Sequence, residues 1–215
     1  MTFRGAALAL VAAAALIGVA GCTDDPQAAG ATPTATTSAT PAATATSLPP
    51  MAKPSKPWPE PTVTGAPAKD APLADRIRFA IAKQAQLAAG KAAPTTVSCP
   101  GLDDVGSGAG IHTLSCTVTY AGASYQGRLT VDAKRYSASY HFNSTSVPVT
   151  RAKVVDAVLR AAEDPATVTC EMAEVAVVEY ADPTGVGCSV TDTTGAVHGY
   201  TARVSGDGSV TAVKM

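Results

Sequence analysis

The chain has 215 residues, and 46% of them are hydrophobic, which is enough to build a folded core. Its 16 basic and 17 acidic side chains leave a formal net charge of −1. This balance lacks the strong positive charge that is typical of nucleic-acid binding, so we expect no nucleic-acid partner.

The chain begins with the pattern of a lipoprotein signal peptide. Arg4 supplies a positive start, and residues 6–20 form an uncharged apolar run. This run is short for a membrane span, which needs about 20 apolar residues. The order Val-Ala-Gly-Cys that ends at Cys22 matches a bacterial lipobox. We expect cleavage after residue 21 and a lipid on Cys22, with acyl chains such as palmitate, that attaches the protein to the extracytoplasmic face of the cell membrane.

Residues 22–72 differ in composition from the rest of the chain. They contain 11 of the 16 prolines and are otherwise rich in threonine and alanine. A segment of this kind buries too little apolar surface to offset the entropy of ordering it. We expect a disordered tether, either bare or glycosylated on its threonines. Trp58 lies between two prolines and is expected to be solvated.

Residues 73–147 predict a first α+β module. The module opens with the apolar stripe of an amphipathic helix, formed by Ile77, Ile81, Ala85 and Ala88. Asp70 or Asp75 is expected to cap the start of this helix, and Gly90 its end. A short strand, a loop at 100–110 whose glycine-rich part 105–110 is expected to be flexible, and three antiparallel strands with alternating polarity follow.

Residues 148–215 repeat this order and predict a second module. Its helix is expected to have Thr150 as N-cap and to end before Pro165. The apolar stripe consists of Val154, Val155, Val158, Leu159 and Ala162. A short strand, a loop and three more strands come after the helix. The predicted fold is therefore α+β, with two tandem modules, each an N-terminal helix packed on a small antiparallel sheet.

Four cysteines lie at matched positions in the two halves. Cys99 and Cys170 are 71 residues apart, and Cys116 and Cys188 are 72 apart. Four cysteines allow three pairings, and the repeat favours Cys99–Cys116 and Cys170–Cys188, because each small module then has its own bridge. Disulfides persist in the oxidising cell envelope. Because no C-x-x-C pair occurs and the three histidines are scattered, we expect no metal and no cofactor.

These motifs together carry a resemblance. The lipobox, the Thr/Pro tether, the helix, and then the V-S-C-P, C-T-V and L-T-V strings resemble a small actinobacterial domain of unknown function that occurs in secreted lipoproteins. The resemblance covers 74–132 well and 151–213 more loosely, where Glu171 stands in place of the proline. It implies an α+β fold and an envelope location, and it supplies no catalytic residues. The layout is also loosely similar to tandem-repeat β-lactamase inhibitor proteins.

Signals for catalysis are weak. The glycine-rich run at 105–110 lacks the Lys-Ser/Thr of a phosphate loop and the Gly-x-Ser-x-Gly spacing of a nucleophile elbow. Nothing in the sequence brings together the residues that could form a histidine–aspartate site, which are His112, His141, His198, Asp103 and Asp104. We therefore expect a protein that is not an enzyme, with an envelope hydrolase as an alternative.

Charges and aromatic residues divide unevenly between the halves. Residues 73–147 have seven basic and four acidic side chains, or +3, while 148–215 have five basic and nine acidic, or −4. Six of the eight phenylalanines and tyrosines after residue 72 also lie in the first half. This asymmetry either favours packing of one module on the other or marks a binding surface on the first module.

Strand alternation selects the residues of such a surface. Tyr136, Tyr140 and Phe142 are expected to face inward and cover the helix. The exposed, partner-binding set is then Tyr120, Tyr125, Arg128 and Arg135. The expected function is a non-enzymatic binding or scaffold lipoprotein that holds an envelope protein or polymer. An inhibitor of an exported enzyme is the second alternative.

Overall fold

The computed structural model describes residues 47–107, 109–134, 137–180 and 185–215. The expected signal peptide, Cys22 and residues 23–46 of the expected tether lie outside these residues, as do Arg135 and Tyr136. Neither helix of the described part is long and apolar enough to cross a membrane.

The first half of the described chain is one helix followed by a four-stranded antiparallel sheet. In chain order its elements are α1 (Leu73–Ala89), β1 (Thr95–Ser98), a 3-10 helix (Leu102–Ser107), β2 (Gly110–Tyr120), β3 (Ala123–Lys134) and β4 (Ser137–Asn143). The strands lie side by side in the order β1-β2-β3-β4. Helix α1 packs over β1 and β2, so β4 is an edge strand that the helix does not cover.

The second half contains a helix, a second four-stranded sheet and a two-stranded ribbon. Its elements are β5 (Ser146–Thr150), α2 (Arg151–Ala161), β6 (Pro165–Cys170), β7 (Val175–Glu179), β8 (Val186–Asp192), β9 (Val197–Val204) and β10 (Val210–Lys214). Strands β6, β8, β9 and β10 form the sheet in that order, and β5 pairs with β7. All pairings are antiparallel, so the predicted α+β class is confirmed.

Both helices bury the stripes that the sequence predicts, but their caps differ from the prediction. Residue Gly90 ends α1 in the left-handed conformation, with φ 75°, as predicted. The N-cap of α1 is Pro72, without a side-chain hydrogen bond, so the prediction of an aspartate cap is wrong. Thr150 does precede α2, but its hydroxyl donates to Ala89 O on α1 instead of capping its own helix.

The hydrophobic core consists of two clusters that share elements across the halves. Ala88, near the end of α1, lies in the second cluster with residues of α2 such as Val154 and Val158. Val177 of β7 packs in return against the first cluster. Helix α1 also packs on β5, and β3 on β7. The ribbon and the end of α1 therefore join the two halves.

Both predicted disulfides are present. Cys99 is bonded to Cys116 and Cys170 to Cys188, with Cα–Cα distances of 4.2 and 4.0 Å. Each bridge joins neighbouring antiparallel strands: Cys99 directly follows β1 and is bonded to Cys116 on β2, and Cys170 on β6 is bonded to Cys188 on β8. Closing loops of 17 and 18 residues stabilises the fold by about 3 kcal/mol each in the chain-entropy model.

The segment between the first bridged cysteines is ordered by burial. Leu102 and Val105 of the 3-10 helix are 1% and 2% exposed and belong to the first core cluster. The prediction of a loop at 100–110 is therefore wrong for Leu102–Ser107, which form a 3-10 helix with two apolar side chains in the core.

The last part of the predicted tether is also ordered. We call residues 47–61 the strap, because they lie across the second half of the fold. The amides of Leu48 and Met51 donate to Thr193 O and Pro165 O at 2.9 and 2.6 Å. The prediction of disorder to residue 72 is therefore wrong for the strap, whose backbone is held by tertiary hydrogen bonds.

Candidate functional site

The structure contradicts the predicted exposure of two of the four partner-binding residues. Tyr120 is 0% exposed and Tyr125 is 8% exposed. Both lie on the core face, because Tyr120 has the same parity along β2 as the bonded Cys116, and Tyr125 pairs with the buried Val118. Burial also raises the pKa of Tyr125 to about 12.

The other predicted residues divide by strand face. Arg128 is exposed, as predicted, and Arg135 lies outside the described residues. Phe142 packs on the first core cluster, in agreement with its predicted inward face. Tyr140 is 44% exposed, so its predicted burial is wrong, because β4 is an edge strand and α1 packs over β1 and β2 instead.

The end of α1 is a meeting point for side chains from distant parts of the chain. The last carbonyls of a helix have no partner within the helix and need outside donors. Four successive carbonyls receive them: Ala88 O from Lys153 Nζ, Ala89 O from Thr150 Oγ1, Gly90 O from Trp58 Nε1 and Lys91 O from Tyr120 OH, at 2.8–2.9 Å. Burial lowers the pKa of Lys153, an effect opposed by the charge of Asp207. The hydroxyl of Tyr120 therefore has a structural role.

A groove lies between the two halves, next to this meeting point. We call it the junction groove. It consists of two pockets, of about 230 and 210 Å³, that share Asn143, Ser144 and Tyr180 in their linings. The first pocket also includes Tyr125, His141 and Phe142, and Arg128 lines the second.

Local hydrogen bonds set the shape of the junction groove. The Ser144 hydroxyl donates to Gln126 O at 2.7 Å and accepts from the amide of Ser146 at 3.1 Å, which fixes the turn between β4 and β5. The amide of Tyr180 donates to Thr145 O at 3.1 Å, and the Tyr180 ring lies against Gly206. Tyr180 nevertheless remains 37% exposed. The groove thus has a fixed backbone and presents an exposed tyrosine and arginine.

The three histidines do not meet Asp103 or Asp104 in a histidine–aspartate site. His112, His141 and His198 lie on three different strands, β2, β4 and β9. The Asp103 carboxylate instead pairs with Arg78 at 2.6 Å, and this hydrogen bond lowers the pKa of Asp103. No three side chains that could ligate a metal converge among the residues that the structure describes.

One histidine does meet an aspartate, on the second sheet. His198 Nε2 lies 3.0 Å from Asp192 Oδ2. The other oxygen of Asp192 accepts from the Thr194 hydroxyl and from the amides of Thr194 and Ala196, and these bonds hold the pKa of Asp192 well below its usual range. The threonine hydroxyl is bonded to the carboxylate and not to the histidine, so the cluster lacks the nucleophile–base order of a catalytic triad. It stabilises the turn between β8 and β9.

A larger cleft, of about 530 Å³, lies beneath the strap, and we call it the strap cleft. Trp58 and its neighbouring prolines form one wall, and Leu87, Ala157 and Val210 contribute apolar surface opposite. Arg160 at its edge is paired with Asp156 at 2.7 Å. Lys153, Arg160 and Asp207 in its lining bind other groups of this chain, so we take the junction groove as the candidate for the main partner site.

The comparisons with known proteins give no relative: no family model, no curated protein and no solved structure matches the chain. The candidate site therefore rests on geometry. Sequence reasoning missed Tyr180, because it lies after β7 and reaches the first half only through the long-range pairing of β7 with β5. The one signal for Tyr180 in the sequence was its residue type, because it is a tyrosine in a half of the chain that has few aromatic residues.

Proposed function

We propose that the protein is a non-enzymatic binding lipoprotein of the cell envelope and that the junction groove holds its partner. The observation that carries this proposal is the exposed Tyr180 beside the exposed Arg128, over two small pockets with a fixed backbone. Tyrosine and arginine are the residue types that most often dominate binding energy at protein interfaces.

The size of the pockets favours a polypeptide partner. Sites for small molecules and cofactors usually have volumes of about 300–1,000 Å³. Each pocket of the junction groove is smaller than this, at about 230 and 210 Å³. Such a pocket accommodates one side chain of a protein surface, and the neighbouring arginine supplies a charged contact at the rim. An envelope protein therefore fits the groove better than a cofactor does.

The proposed location rests on the lipobox at Cys22 and on the two disulfides. Disulfides are stable in oxidising compartments outside the cytoplasm. A lipid on Cys22 would hold the protein at the extracytoplasmic face of the membrane, with residues 22–46 as a tether before the strap.

We also propose that the two halves are tandem copies of one module. Both halves have a helix, a short strand and three antiparallel strands, and their sheets have the corresponding strand order. Both bridges join the short strand to the strand that is its neighbour in the sheet. The junction groove would then be a product of the duplication, since residues of both copies line it.

Site-specific photocrosslinking in intact cells tests the proposed function. A benzophenone amino acid replaces Tyr180 in the exported protein, and its matched control carries the same group at Arg203, which is exposed on the far face of β9. We expect a defined crosslinked product from position 180 and none of that mass from position 203. The same bands from both positions, or none from position 180, would exclude the groove as the binding site. A Cys22→Ser version, expected in the culture medium, shows whether capture needs the anchor.

A further inference from the structure

The contacts of the strap with the rest of the fold resemble those of a peptide ligand with a receptor, because a side chain of the fold binds the strap's backbone. Arg160 donates to Pro54 O at 3.3 Å and also to Lys56 O, two carbonyls separated by one residue. Asp156 holds the guanidinium from behind, with its two oxygens 2.7 and 3.2 Å from Arg160 Nε and Nη2. A guanidinium fixed in this way binds the carbonyl groups of an extended backbone and does not depend on particular side chains.

A single aromatic side chain anchors the strap. Trp58 donates its Nε1–H to Gly90 O at 2.8 Å and is partly buried. Gly90 leaves space for this contact, because a Cβ there would collide with the indole nitrogen and lie 2.8 Å from Lys153 Cδ. The end of α1 therefore contains a seat for one tryptophan, next to the arginine that binds the backbone.

Other properties of the strap indicate loose attachment. Of residues 51–57, all but Pro54 are exposed. The strap also borders an open cleft of about 530 Å³ and does not fill it. Segments with little buried surface and few contacts open at low free-energy cost. The prolines at 54, 57, 59 and 61 keep the segment extended when it is free, which lowers the entropy lost on binding.

From these observations we propose that the strap cleft is a docking site for an extended peptide with a tryptophan between prolines, occupied reversibly by residues 54–61 of the same chain. Arg160 binds the peptide backbone, and the end of α1 accepts the tryptophan. Release of the strap exposes the site. This proposal does not depend on the function of the junction groove, which lies at a separate surface.

The test uses a labelled synthetic peptide of residues 51–62 and the full chain with Trp58→Ala, whose own strap has lost its anchor. Fluorescence anisotropy should show saturable binding to this variant. Binding to the wild-type chain should be at least about tenfold weaker, because the tethered strap competes at an effective concentration near the millimolar range. Adding Arg160→Ala to the variant should weaken binding at least about tenfold, while adding Arg203→Ala, the matched control, should leave it unchanged.

Two results would overturn the proposal: no binding by a Trp58→Ala chain with a native circular dichroism spectrum, or equal binding with and without Arg160. Should Trp58→Ala fail to fold, a protease site placed between residues 63 and 68 of the wild-type chain allows a second measurement. Trp58 is the only tryptophan, so its emission reports the strap alone. After cleavage, dilution should release the strap and shift this emission. A strap that stays bound down to nanomolar concentrations is a permanent part of the fold.

Discussion

Replacing Gly208 by alanine is expected to destabilise the folded protein by about 3 kcal/mol or more, the sum of a backbone strain and a collision. Gly208 has φ 82° in the turn between β9 and β10, a conformation that other residues adopt at a cost. A Cβ there would lie 2.5 Å from the Ala88 carbonyl oxygen and closer still to the Ala88 Cα. These are backbone atoms of α1 and cannot move aside. The turn and the helix would have to separate where the two halves meet.

Gly195→Ala is the matched control for this replacement. Gly195 has φ 88°, and its Cβ would meet nothing within 4 Å. It therefore carries the backbone strain without the collision, and we expect a loss of about 1 kcal/mol. In a thermal melt the control should lower Tm by about 2–4 °C and Gly208→Ala by about 6–12 °C or more. Equal decreases in Tm for the two variants would mean that the turn at Gly208 is not in close contact with α1.

Tyr125→Ala should be the second severe change, with a loss of about 3–5 kcal/mol, as for other large aromatic side chains removed from a core. The side chain is 8% exposed and belongs to the first hydrophobic cluster. Tyr140→Ala is the matched control, since Tyr140 is 44% exposed, and we expect a change within about 0.5 kcal/mol. Urea denaturation followed by circular dichroism measures both. A small loss for Tyr125→Ala would contradict the assigned burial.

The burial of Tyr125 should also make the stability of the protein depend on pH. Its pKa is raised from 10.0 in the unfolded reference to about 12 by burial, so the folded state favours the neutral phenol. The unfolded chain ionises first as pH rises, so this contribution to stability is complete below about pH 10 and is lost as pH approaches 12. Stability should therefore fall between these values, and less steeply in a Tyr125→Phe variant. If stability fell equally steeply with pH in both proteins, the Tyr125 hydroxyl would be exposed to water.

The sequence predicts the helices and the disulfides, because these parts of the fold depend on spacings that can be seen within the sequence. Apolar spacing gives both helices, because the side of a helix that is buried is set by residues three and four apart. The matched cysteines give both bridges, because a repeat selects one of three pairings. Strand parity also places Tyr120 on the same face as Cys116, and consistent use of that parity would have put both tyrosines in the core.

The misplaced parts depend on contacts between distant residues. Thr150 follows the rules for a helix cap, yet its hydroxyl serves the carbonyl of Ala89, 61 residues earlier. The composition around Trp58 is that of a disordered segment, and contacts with distant residues, such as the seat at the end of α1, order it. No pattern within the second half shows that Tyr180 lines a groove with Arg128, since the β5–β7 ribbon brings them together.

The most direct test of the junction groove is the affinity of the protein for the partner that photocrosslinking at position 180 captures. The account predicts that Arg128→Ala and Tyr180→Ala together raise the Kd at least about thirtyfold, as expected when an interface loses about 2 kcal/mol or more. The Tm should change by no more than a few degrees, because both side chains are exposed. Arg203→Ala should leave the Kd unchanged. A double variant that is folded and binds with the wild-type Kd would contradict the assignment of the groove as the binding site.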